Sequence, residues 1–186
     1  MELLIIGGIV AVIALVLVLG YNKLVRLRQY CRQAFADIDA QLKQRADLLP
    51  NLVETVKGYA RHESETLNAV IAARNAAKSA STPGEAAAAE GLIARSLGGI
   101  NMLAEAYPDL KANSNFVQLQ QDLSDAENKI AAARRFLNSA VAEYNGATEQ
   151  FPAVLYARAF GFKSEEMYVI PEDERAQVAA APKVSF

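Results

Sequence analysis

The sequence predicts an all-α protein in which a single N-terminal transmembrane helix continues into a long antiparallel bundle of about four helices. Three observations favour this fold class: an uncharged apolar stretch near the N-terminus, apolar residues at steps of three and four, and almost no strand-like alternation. The 186 residues are enough for one domain with a core and one additional feature.

The additional feature is the apolar stretch over residues 3–21, nineteen residues without a charge. At about 1.5 Å per residue it spans roughly 28 Å, close to the hydrocarbon thickness of a bilayer. A cleaved signal peptide fits poorly, because Met1 and Glu2 provide no basic residue and no small-x-small site follows. A buried core helix would not be apolar on every face. We therefore expect a transmembrane signal anchor over residues 1–22.

The charges beside this stretch predict its orientation. Four basic residues and no acid follow it directly: Lys23, Arg26, Arg28 and Arg32. The positive-inside rule places the rest of the chain in the cytoplasm, with a short N-terminus outside and one pass through the cell inner membrane. These residues either set topology alone or also attract anionic headgroups, and both interpretations stay open. The net charge of −2 argues against a nucleic-acid partner.

The first soluble helix is expected to grow directly out of the anchor, because no Gly or Pro lies between residues 22 and 44. Pro50 lacks the N–H that would bond the Ala46 carbonyl, so we expect a helix kink or restart at 46–50, with Asp47 as the cap. The helical pattern runs on to Val70 at steps of three, four or seven. Its positions are Phe35, Ile38, Leu42, Leu49, Leu52, Val56, Tyr59, Thr66 and Val70.

The remaining elements follow from composition and spacing. Residues 79–84 are a predicted loop, 85–107 a helix weakened at Gly98-Gly99, and 107–115 a turn. A third long helix begins at a cap, either Asn115 or Asn113. Its eleven seam positions are all apolar: Phe116, Leu119, Leu123, Ala126, Ile130, Ala133, Leu137, Ala140, Tyr144, Ala147 and Phe151.

The chain is expected to close with a short helix from Pro152 to about Phe160, ended by residues 161–163. The bundle domain then covers residues 23–162. Residues 163–186 form a C-terminal tail that is partly disordered, since its end is rich in Glu, Ala and Pro.

Three segments together resemble the LemA family: "RADLLPNLVETVKGYARHES", "EAYPDLKANSNFVQLQQDLSDAENKIAAARR" and "YNGATEQFPAVLYARAFGF". The resemblance runs from the anchor to about Phe162. One departure is Leu137, where the family pattern has an aromatic residue before the asparagine. The resemblance implies a small extracellular N-terminus, a cytoplasmic helical domain and no established enzymatic activity. Family members also occur among magnetosome membrane proteins, which implies a membrane-organising or scaffolding task.

No catalytic template fits the residues present. The chain has one cysteine, Cys31, and one histidine, His62, too few for a zinc site of His and Cys ligands. If both lie on one helix, roughly 46 Å of helix axis separates them, which excludes a nucleophile pair. The Glu-x-x-His motif of di-iron bundles is missing, because Tyr59 stands in place of the glutamate. We expect no enzyme, no cofactor and no metal.

Polar residues form two stripes along the predicted long helices. They are either solvated faces or an interhelical polar network that fixes the register between the helices. The second interpretation pairs Arg134 with Glu54 or Asp47, and Arg45 with Glu127. The network would comprise Arg45, Asp47, Asn51, Glu54, Glu127, Arg134 and Asn138.

Three functions compete at this point. The first is a membrane-anchored scaffold or adaptor that forms homo-oligomers through its long helices and recruits a membrane protein, such as a protease or a lipid-domain protein. The second is a membrane-organising protein that binds anionic membrane lipids through the basic residues at 23–32. The third, which the missing motifs disfavour, is a metal-dependent enzyme.

Overall fold

The computed structural model describes residues 1–169, and these residues form helices and turns without a strand. The elements in chain order are α1 (Glu2–Lys57), α2 (Ser64–Ser79), α3 (Pro83–Ala106), the one-turn α4 (Pro108–Lys111), α5 (Ser114–Glu149) and a 3₁₀ turn (Ala153–Leu155). The predicted all-α class, with one long apolar N-terminal helix, is confirmed.

The chain forms two compact units. Unit 1 comprises Met1–Ala36 and Arg135–Met167, and unit 2 comprises Asp37–Arg134 with Tyr168. Helices α1 and α5 each contribute residues to both units. The predicted boundaries at residues 22 and 162 stay predictions, and residues 170–186 of the predicted tail lie outside the described chain.

Helix α1 carries the apolar stretch and passes without interruption into the basic segment that follows it. The side chains of residues 1–19 are all exposed, whereas burial begins abruptly at Leu24, Leu27 and Cys31. A helix that is apolar on every face and buried on none matches a membrane span. Among the described residues, this is the one helix long and apolar enough to cross a bilayer.

The predicted continuation of the first helix to Val70 is wrong. Helix α1 ends at Lys57, and a six-residue connection precedes α2. At this end the Gly58 N–H is shared between the carbonyls of Glu54 and Thr55, and the Tyr59 N–H bonds to Val56, so the last turn tightens. His62 consequently lies in the connection, exposed, and not on a helical stripe.

Pro50 lies inside α1, which continues across it, so the helix restart expected at residues 46–50 does not occur. Asp47 is three turns from the end of α1 and does not cap a helix; its carboxylate pairs with Lys78 of α2 at 2.8 Å. The helix tolerates one missing N–H because Leu49 and Leu52, on either side of Pro50, are fully buried. A kink at Pro50 stays a prediction.

Helices α2 and α3 pack with the second part of α1 around an apolar core in unit 2. Thr82 caps α3 in a complete capping box with Glu85, and Pro83 occupies the first turn. Helix α3 passes through Gly98-Gly99 unbroken. Gly99 permits its close approach to α2, since a Cβ there would lie 3.0 Å from Cγ2 of Thr66. The core of unit 2 includes Leu49, Val56, Val70, Ile93, Ile100, Leu110 and Phe116.

Helix α5 is the predicted third long helix, and its cap is Asn113. The Asn113 side-chain oxygen accepts a bond from the Phe116 N–H at 3.0 Å, so the alternative cap, Asn115, is not used. The predicted final helix is wrong: only Ala153–Leu155 form a 3₁₀ turn, followed by further turns to Gly161. Gly161 has a φ of 76°, a conformation that ends helical structure and that favours glycine.

Candidate functional site

One guanidinium stands at the centre of the polar residues in unit 2. Arg45 is 1% exposed, and its Nη1 donates to Glu90 Oε1 at 2.5 Å and to the Glu127 carboxylate. We call these three residues the Arg45 cluster. They come from α1, α3 and α5, so a single side chain of α1 links three helices within unit 2.

The two carboxylates of the Arg45 cluster differ in their access to water. The Glu90 side chain is 9% exposed and the Glu127 side chain 57%. The pKa of Glu90 is raised from 4.5 to about 7, mainly by burial and also by the charge of Glu127, although the Arg45 guanidinium acts to lower it. Burial also raises the pKa of the Tyr168 phenol, and the neighbouring Glu90 adds to that effect.

The hydrogen bonds of the Arg45 cluster are incomplete within the described chain. Arg45 Nε and Nη2 and Glu90 Oε2 are buried, and none has a hydrogen-bond partner among residues 1–169. Removing one partner of such a buried pair costs several kcal/mol, roughly 3–5, because it leaves a charge uncompensated. This chemistry suits a fixed structural junction between helices.

The structure brings together only part of the predicted polar network. Arg45 and Glu127 are in contact, as the sequence predicts. The pairings predicted for Arg134 are not formed in the described chain: Asp47 pairs with Lys78, and Glu54 lies 3.8 Å from Lys57 on its own helix.

The other predicted members of the network differ in their position. Asn51 is exposed on α1, and Asn138 belongs to unit 1. Arg134 is half-buried and close enough to lower the pKa of Glu90. Glu90 was missed by sequence reasoning, because it lies at the end of "EAAAAE" and resembles a solvated helix residue.

Two apolar grooves open on unit 2. One, of about 300 Å³, is lined by residues of α1, α3 and α5: Leu52, Leu97, Ile100, Asn101, Gln120, Leu123, Ser124 and Glu127. The second, of about 230 Å³, lies between α1 and α2, and we call it the α1–α2 groove. It is lined by Leu49, Pro50, Val53, Glu54, Val70, Ile71 and Arg74. Both are at or below the size of ordinary small-molecule sites.

The predicted basic residues lie on α1 in unit 1. Lys23, Arg26 and Arg32 are exposed, and we call them the basic triplet. Arg28 differs, because its guanidinium lies 4.8 Å from the centre of the Phe162 ring. Three of the four predicted membrane-surface residues are therefore exposed, and the fourth packs against an aromatic ring.

Residues 1–169 contain no group of three or more His, Cys, Asp or Glu side chains arranged to hold a metal ion. Cys31 is buried in unit 1, and burial together with Glu165 raises the pKa of its thiol, which disfavours the reactive thiolate. His62 belongs to unit 2.

Fold and site together define a class: an all-helical protein with one N-terminal helix long and apolar enough to cross a membrane, and with a buried charge cluster that joins helices. The model of the LemA family matches residues 34–186, and the chain belongs to that family. The resemblance carried by the three sequence segments is thereby confirmed.

Two relatives illustrate the relationship. The chain is 27% identical to Protein LemA of Metamycoplasma hominis over 161 residues, which cover 84% of this chain and 72% of that protein. It is 30% identical over 80 residues to Magnetosome protein MamQ of Magnetospirillum gryphiswaldense. That match covers 43% of this chain and 29% of MamQ.

Proposed function

We propose that this protein is a membrane-anchored, non-enzymatic scaffold that associates with further copies of itself and recruits a membrane partner. The observation that carries the proposal is the continuity of α1. A single helix, Glu2–Lys57, contains the apolar stretch, the basic triplet and buried core residues, with no flexible linker between them. Such a helix is suited to hold a binding surface near a membrane.

The surfaces of unit 2 support this proposal. The α1–α2 groove is lined mainly by apolar side chains, with Glu54 and Arg74 also in its lining. At protein interfaces, an apolar side chain of the partner typically fills such a pocket and polar contacts surround it. Ile71, in its wall, is 42% exposed. The similarity to a magnetosome protein is consistent with a role in assembly at a membrane.

The test uses a photoreactive amino acid in place of Ile71 in the full-length protein, irradiated in intact membranes. We expect a crosslinked product whose mass, read by mass spectrometry, identifies either a second copy or another membrane protein. Val117 is the matched control, since it is 41% exposed on α5 and does not line the groove. Equal labelling at both positions, or no adduct at position 71, would contradict recruitment through this groove.

A second candidate function is binding of anionic lipids, and the exposed basic triplet favours it. Each cation near an anionic surface contributes about 1 kcal/mol to attraction. Full-length protein extracted from vesicles that contain anionic lipid should retain less of that lipid when the triplet is changed to glutamine. The charge-matched control changes Lys43, Arg61 and Lys111, which are exposed in unit 2. The same loss in both variants would reject a specific role for the triplet.

A further inference from the structure

The segment that follows α5 packs beside the end of the apolar stretch within unit 1. We call residues 150–160 the membrane-proximal loop. Phe151 and Pro152 line a cavity of about 180 Å³ together with Val16 and Gly20 of α1. The Tyr156 hydroxyl lies directly over Gly20, where a Cβ would collide with it. Gly20 is therefore the residue that lets the loop approach the helix.

This contact fixes the level of the loop along α1. Val16 precedes Tyr21, the last residue of the apolar stretch, by five positions, which is roughly 7 Å of helix. The loop thus reaches past the end of the stretch and along its final turns. If residues 3–21 span the bilayer, this level corresponds to the boundary between headgroups and acyl chains, where apolar groups of membrane-surface proteins insert by about 5–10 Å.

The outward side of the loop is strongly apolar. Phe151 is 79% exposed, Leu155 74% and Phe160 60%. The Phe160 ring packs edge-on against Tyr21 at 5.6 Å and against Tyr156 at 6.0 Å, so the loop and the end of the stretch form one aromatic cluster. Aromatic residues at this level are typical of the membrane–water interface.

Two cations lie next to this apolar surface. Arg158 and Lys163 are exposed and line an open cavity of about 570 Å³ with Val154 and Phe162; Glu149 also lines it, so the cations exceed the anions there by one. Lys23 lines the smaller cavity on the other side of the loop. An apolar surface flanked by cations complements the acyl boundary and the phosphates of a lipid leaflet. A soluble partner with an apolar surface would not account for the level of the loop along the apolar stretch.

We propose that the membrane-proximal loop is a second membrane contact of this protein. Phe151, Leu155 and Phe160 insert into the leaflet at the C-terminal end of the span, while Arg158 and Lys163 face the phosphates. The inference rests on the anchor of the proposed function, and it adds that unit 1 is held against the bilayer at two points.

The chain contains no tryptophan, so single-tryptophan variants report depth directly. Four variants of the full-length protein are placed in vesicles whose lipids carry bromine on the acyl chain close to the headgroup or deep in the bilayer. Phe151→Trp and Leu155→Trp probe the loop, and Val12→Trp probes the span. Phe136→Trp is the matched control, because Phe136 is 54% exposed on α5, about 20 Å before the helix end.

We expect bromine near the headgroup to quench the two loop tryptophans, deep bromine to quench Val12→Trp, and neither to quench Phe136→Trp. Loop tryptophans that respond no more than Phe136→Trp, while Val12→Trp is quenched, overturn the second contact and leave the anchor intact. An unquenched Val12→Trp overturns the anchor itself, and the proposed function with it.

Discussion

Arg45 places one guanidinium against two carboxylates that differ in their access to water. Glu127 keeps contact with solvent, whereas Glu90 is buried with one oxygen on Arg45 and the other without a partner among residues 1–169. Burial disfavours the charged form of Glu90, and one cation shared with Glu127 does not fully compensate that effect, so the buried carboxylate holds its proton more tightly. This explains why the pKa of Glu90 rises to about 7 despite its ion pair.

The raised pKa of Glu90 should appear in the pH dependence of the protein's stability. Native Glu90 holds its proton more tightly than the unfolded chain does, so its contribution is fully present below pH 4.5 and is lost as the pH rises through about 7. The difference between a pKa of 4.5 in the unfolded chain and about 7 in the native protein corresponds to a loss of roughly 3 kcal/mol in the free energy of unfolding. Glu90→Gln keeps the shape and does not titrate. Relative to the wild type, its free energy of unfolding should therefore increase by about that amount between pH 4.5 and 8.

The measurement is chemical denaturation in detergent, followed by circular dichroism at several pH values. Taking the difference between variant and wild type cancels the contributions of Asp47 and Glu85, whose pKa values are lowered by bonds from Lys78 and Ser81. Glu105→Gln removes an exposed carboxylate and should keep the wild-type slope. If Glu90→Gln also keeps that slope, Glu90 is ionised in the native protein throughout this range.

At the scale of single residues, the sequence predicted two of the three members of the Arg45 cluster. The hypothesis of a polar network between the long helices paired Arg45 with Glu127, and these two residues are in contact. Glu90 could not be assigned, because its burial depends on how α3 packs and not on its neighbours in "EAAAAEG". The pairing of Asp47 with Arg134 was wrong because the chain reverses after α1 and brings Lys78 to Asp47 instead.

Among the elements, long periodic helices were predictable and their ends were not. The apolar residues of α5 repeat at steps of three and four, and this repeat predicts nearly the whole length of the helix. The same apolar pattern continues from α1 into α2, so it does not show the connection at residues 58–63. Periodicity cannot reveal such a break when the two helices keep similar spacing on either side, and Gly58 was the one local signal.

The helix caps show which sequence patterns mark the start of a helix. The pattern Thr82-Pro83-x-Glu85 is a complete capping-box signature that could have located the start of α3. Asn113 and Asn115 offered two caps for α5, and the bond from the Phe116 N–H selects Asn113. For the loop after α5, the preference of Pro152 for a first helical turn predicts a helix. Its apolar side chains instead form a 3₁₀ turn and further turns that pack on α1 in unit 1.

For the whole molecule, the orientation in the membrane is the property that the charges predict. The apolar stretch has the basic triplet and Arg28 on one side and no basic side chain on the other. The positive-inside rule then predicts that the residues after the apolar stretch lie in the cytoplasm. In a bacterial host, a C-terminal epitope should be digested by protease in inverted membrane vesicles and protected in intact spheroplasts.

Moving the positive charges to the other side of the apolar stretch should reverse the orientation of the chain in the membrane. Changing the basic triplet to glutamine and inserting two lysines after Met1 moves the positive excess to the other side of the stretch. A substantial fraction of this variant should show the opposite protease pattern. Arg28 is kept because it packs on Phe162. Changing Lys43, Arg61 and Lys111 with the same insertion is the control: it removes equal charge far from the span and should reverse fewer molecules. Identical patterns in both variants would mean that the cations beside the span do not set its orientation.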